Sequence, residues 1–106
     1  MSTLCEDCIY ARKNLTNPES VFETAIQTYG IEAQEDMAIE ECSELIQAIL
    51  HNRRKRDSNI SEEIADVLIM LEQLQMIYNC KEDVKRIYQE KIQRLRERLS
   101  LYEDKP

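Results

Sequence analysis

Two short acidic clusters stand out in the 106-residue chain: Glu40-Glu41-Cys42-Ser43-Glu44 and Glu62-Glu63-Ile64-Ala65-Asp66. Each sets two carboxylates three residues apart in a segment with helical patterning, and residues three apart lie on one helix face. Two such helices side by side would aim four carboxylates at one place. They repel there unless a cation sits between them. Oxygen donors, in a chain whose one His is His51, suit Mg²⁺ or Mn²⁺ rather than zinc.

A helical glutamate is most often a solvated surface residue, so the neighbours decide. At about 100° per residue, Glu41 and Glu44 share a strip with Met37 and Ala48, and Glu63 and Asp66 share one with Met70, Gln73 and Ile77. A solvated face would offer Lys or Arg four residues away. These four acids meet Met37 and Leu45, Glu40 and Ala48, Asn59 and Val67, and Glu62 and Met70 instead. Carboxylates that are half-buried and lack a basic partner are either protonated or metal-bound. Glu41, Glu44, Glu63 and Asp66 are therefore the candidate metal ligands.

The elements that would carry them read as four helices. Asn17-Pro18 is a helix start with Pro in the first turn, and Gly30 ends or bends the segment that follows it. The second helix, from about Ala33 to Arg54, carries Cys42, Leu45, Ile46, Ile49 and Leu50 at core-facing spacing. The third, from about Ile60 to Tyr78, is apolar nearly all round from Ile64 to Leu71, which predicts burial on more than one side and a second face against another subunit. Asn59 with Glu62, and Asn79 with Glu82, read as helix caps. The fourth helix, from about Lys81 to Leu99, has an inner stripe of Val84, Ile87, Tyr88, Ile92, Leu95 and Leu99 interrupted by Lys91.

One Gly and two Pro, with 42% hydrophobic and 33% charged residues, fit a folded all-α chain. The expected architecture is one helical bundle with a central helix pair. Residues 1–16 would be a weakly ordered segment, 17–100 the domain and 101–106 a tail. So small a domain buries limited surface, so completion by self-association, as a dimer or tetramer, is expected. The chain carries −7, and Arg53-Arg54-Lys55-Arg56 supplies four consecutive cations, leaving −11 on the remainder. That balance opposes nucleic-acid binding. No stretch has the ~20 apolar residues of a membrane span. The N-terminus lacks a signal peptide's basic start and apolar core. A cytoplasmic location is the default, and the four Cys read as thiols. Cys5-x-x-Cys8 lacks the second close pair of a structural zinc site.

The pattern E-E-x-x-E, eighteen intervening residues and E-x-x-D, ending in Val67-Leu68-Ile69-Met70-Leu71, resembles the all-α nucleoside triphosphate pyrophosphohydrolases of the MazG type over roughly residues 18–99. The resemblance implies Mg²⁺-dependent hydrolysis of an NTP or dNTP between the α- and β-phosphates, giving the monophosphate and pyrophosphate. It implies that Glu41, Glu44, Glu63 and Asp66 hold the metal. Glu41 and the additional acid Glu40 are then the candidate catalytic residues, Glu40 either orienting water, making an outer contact or facing solvent. Related motifs occur in phosphoribosyl-ATP pyrophosphohydrolases and dimeric dUTPases, so the substrate stays open.

With one Gly there is no phosphate-cradling loop, so phosphates must be held by metal and cations. Candidates are Lys91, Arg94 and Arg98 on the fourth helix and Arg53–Arg56, Arg54 among them. Lys91 equally reads as a snorkelling edge residue, and the arginine run as a solvated helix end. For the base, Gln27 is the polar candidate and Phe22 the stacking one, though Phe22 also suits a core position. A different class of function, a non-catalytic oligomeric interaction module, would rest on the many-sided apolar third helix and the arginine run.

Overall fold

The computed structural model describes residues 15–54 and 59–103. The N-terminal segment with Cys5 and Cys8, and Lys55 and Arg56 of the basic run, lie outside the described residues. Four helices follow one another: α1 (Pro18–Tyr29), α2 (Ile31–Arg53), α3 (Ile60–Ile77) and α4 (Lys81–Glu103). The all-α expectation holds, with α4 continuing to Glu103 rather than ending near Leu99. No described helix is long and apolar enough to cross a membrane.

Each boundary has a local cause. Asn17 Oδ1 accepts from the Ser20 N–H at 2.8 Å, with Pro18 in the first turn. This satisfies one of the donors that a helix start leaves open. Gly30 separates α1 from α2 at φ 93°, ψ 156°, a region essentially restricted to glycine. Asn59 does not cap the backbone of α3; its Nδ2 donates to the Glu62 carboxylate instead, so the pair is a side-chain clasp. Asn79 likewise serves the helix before it rather than α4. At φ 50° it is left-handed, and the Cys80 and Asn79 N–H groups return to the Gln75 and Met76 carbonyls at 3.0 and 3.2 Å. That is the paired bonding that closes a helix through a left-handed residue, and Asn is the commonest substitute for Gly there.

The most extensive contact joins α2 to α3; α1 touches both, and α4 touches α3 alone. The molecule measures 67 × 37 × 24 Å. At 1.5 Å per residue, α3 and α4 end to end would span about 60 Å, so α4 extends away from the bundle. Its residues from Lys81 to Tyr102 are all exposed.

The buried core is small: Ala38, Ala48, Val67 and Met70, with Thr24, Gln34 and Gln73 as buried polar residues. This corrects the expected core stripe of α2. Of Cys42, Leu45, Ile46, Ile49 and Leu50, only Leu45 is half-buried, and Ile46 is 59% exposed. The buried face is the strip bearing the acids. Ile64, Leu68, Ile69 and Leu71 of α3 are exposed as well, so the third helix is central in its contacts but covered on one side within a single chain.

Candidate metal centre

The site is set by an antiparallel register. Gln34 Nε2 on α2 donates to Gln73 Oε1 on α3 at 2.5 Å, with both residues buried. Seven residues further along α2 is Glu41, and seven residues back along α3 is Asp66, which faces it. Three more steps each way bring Glu44 opposite Glu63. Intervals of seven and three return to nearly the same helix face, so one buried glutamine pair dictates how both acidic pairs meet.

Carboxylate oxygens of Glu41, Glu44 and Glu63 lie within 4.8 Å of one another. All four acids are half-buried. Glu41 Oε2 and Glu63 Oε2 are out of contact with solvent and have no hydrogen-bond partner. Burial raises the Glu41 carboxyl above its ordinary value of 4.5, with Glu44, Asp66 and Glu63 adding to the rise. Burial does the same to Glu63, with Glu44, Asp66 and Glu62 behind it. Loss of hydration and like charge both penalise the ionised form, and no attraction balances them. Among the described residues, the ion pairs are those of Arg86 with Asp83 and Glu90 on α4, so no basic side chain pairs with the cluster.

The other sequence candidates lie elsewhere. Glu40 is exposed beside Glu41, and Arg54 is exposed at the end of α2. Lys91 and Arg94 are exposed on α4, which has no contact with α2, so within one chain they do not join the acids. Phe22 lines a groove of about 530 Å³ with Leu68, Ile69 and Glu72, and none of the four acids lines it. Gln27 is exposed on α1.

Sequence reasoning missed Gln34, and with it the device that fixes the register. The signal was present: Gln34 is two turns before Glu41 on the same strip. A second tie joins the same helices, with Tyr78 Oη donating to the Glu35 carboxylate.

Fold and site together define an all-helical protein with a carboxylate-lined centre between two antiparallel helices. A family model, the MazG nucleotide pyrophosphohydrolase domain, matches residues 30–99. The chain belongs to that family. No curated protein and no solved structure matches it.

Proposed function

We propose that the chain is a Mg²⁺-dependent nucleoside triphosphate pyrophosphohydrolase, with Mn²⁺ as a possible substitute, working as a homo-oligomer. Membership of the MazG family supports the reaction class. One observation carries the metal reading: Glu41 Oε2 and Glu63 Oε2 are buried without a partner, and among the described residues no basic side chain forms an ion pair with the cluster. Such atoms are costly to bury, and a hard divalent cation satisfies oxygen donors of this kind. Glu41, Glu44, Glu63 and Asp66 are the residues that would hold it. When bound, Mg²⁺ neutralises charge on the phosphate oxygens and lowers the pKa of water.

The chain's own part is to position and to move protons. Water adds to the α-phosphorus of an NTP or dNTP, the bond to the α–β bridging oxygen breaks, and pyrophosphate leaves with that oxygen's electron pair. Glu41 has a carboxylate oxygen that accepts a hydrogen bond from this water and takes its proton. Glu40, exposed on the rim, is the second acid for that role. Lys91, Arg94 and Arg54 are the cations proposed to meet the phosphates. Gln27 is proposed to meet the base, with Phe22 as its stacking partner.

The test is pyrophosphate release from a panel of NTPs and dNTPs with Mg²⁺ or Mn²⁺. Loss of a group that stabilises charge in a reacting centre costs on the order of 100- to 1,000-fold in rate. Glu41→Gln and Asp66→Asn should each show a loss of that order. Unchanged release in both variants overturns the reading.

A further inference from the structure

The groove beside Phe22 takes no part in the acidic cluster. It holds about 530 Å³ between the start of α1, one side of α3 and the first residue of α4. At about 100° per residue, Leu68, Glu72 and Met76 lie on the opposite side of α3 from Glu63 and Met70. Phe22, Leu68, Ile69 and Met76 supply the groove's apolar wall, and Glu19, Glu72 and Lys81 supply its charges. Leu68 and Ile69 are 57% and 43% exposed, so the wall stands open with an excess of one acid.

The chain itself leads to an occupant. Asn17 and Pro18 line the groove as well, so the segment that precedes α1 departs from the groove's own wall. In that segment, outside the described residues, Ile9-Tyr10-Ala11-Arg12-Lys13 joins two large apolar side chains to two cations. This is the complement of an apolar wall with surplus acid.

Reach is sufficient. Ile9 stands eight residues before Asn17, which allows up to about 26 Å of extended chain at about 3.3 Å per residue. From Leu68 to Met76 the wall runs about 12 Å along α3 at 1.5 Å per residue. A tether this short gives an effective concentration in the millimolar range, so modest local affinity keeps the groove filled.

We propose that residues 9–13 dock in this groove of their own chain, with Ile9 and Tyr10 against Phe22, Leu68 and Ile69, and Arg12 and Lys13 beside Glu19 and Glu72. Docking covers the Phe22 ring, so the segment and a nucleotide base would compete for it. The inference goes beyond the reaction and is tested without nucleotide, so its failure and that of the pyrophosphohydrolase reading are distinguishable.

Nuclear Overhauser spectroscopy on the full chain, labelled in its methyl and aromatic groups, tests it. The expected result is contact from Ile9 and Tyr10 to Leu68, Ile69 and Met76 within one copy. Absence of those contacts overturns the proposal. So does finding them only between copies in a mixed sample of labelled and unlabelled chains. A second measurement reads the groove directly through oxidation of Met76 by hydrogen peroxide, followed by peptide mass spectrometry. A covered group reacts only in the fraction of time it is uncovered, so Ile9→Ser with Tyr10→Ser should speed Met76 oxidation about threefold or more. Met37 on α2, outside the groove and 40% exposed, is the internal control and should keep its rate. Equal Met76 rates in the two proteins overturn the docking.

Discussion

Gln34 and Gln73 share a buried hydrogen bond that lies seven residues from Glu41 on one helix and seven from Asp66 on the other. The acidic cluster thus inherits its alignment from a neutral polar pair two turns away. A buried amide is costly only when its partner is lost, so the pair penalises any other sliding position of the two helices. It specifies register more than it adds stability.

The bond therefore makes an asymmetric prediction. Gln34→Leu leaves the Gln73 amide buried without its partner and should destabilise the fold by about 1–3 kcal/mol. Changing both to Leu should recover most of that loss while weakening the coupling between register and site. Urea denaturation of the two variants, read with Mg²⁺ affinity, checks both halves.

The acids should make the metal-free protein less stable as the medium becomes less acidic. The folded carboxyls of Glu41 and Glu63 lie above the ordinary 4.5, so over that interval the native state binds more protons than the unfolded chain. Stability then falls as pH rises. Their contribution is fully present below pH 4.5 and is lost as pH climbs through the raised folded values. Glu41→Gln with Glu63→Gln should flatten the dependence. Melting temperature against pH in the presence of a chelator measures it, and a wild-type curve no steeper than the variant's would contradict the assignment.

Added Mg²⁺ should act in the opposite sense. Binding to the native state alone stabilises by about 2.7 kcal/mol at a hundred times the dissociation constant. The melting temperature of the wild-type protein should rise with millimolar Mg²⁺ near neutral pH. Glu41→Gln, Glu44→Gln and Glu63→Gln should each reduce that rise. Differential scanning fluorimetry across a Mg²⁺ titration distinguishes this from a general salt effect, for which NaCl at equal ionic strength is the control.

Gly30 offers a purely backbone test. A Cβ there would touch nothing within 4 Å, so Gly30→Ala meets no steric neighbour. The cost comes from φ 93° alone and should be about 1–3 kcal/mol. Circular dichroism should show the helices retained and the melting temperature lowered.

Much of this was legible in the residues. Asn17-Pro18 and Gly30 mark helix limits because capping and positive φ are local chemistry. The acid quartet was legible because 3.6-residue periodicity places Glu41 with Glu44 and Glu63 with Asp66. The inward face of α2 was not, because Ile46 and Ile49 satisfy the pattern of a core stripe although Gln34, Ala38 and Ala48 are the residues that the helix buries. Periodicity shows that a face is apolar without showing what it meets. Asn79 was misassigned for a similar reason: the same residue type caps the start of one helix and closes the end of another, and only its φ of 50° decides.

The seven-residue interval between Gln34 and Glu41 also works as a ruler. One residue added or removed there would turn Glu41 and Glu44 by about 100° relative to the glutamine pair, so a closed clasp and a closed acidic site could no longer coexist. The stretch can change its letters, but it cannot change its length without taking the fold and the chemistry out of phase.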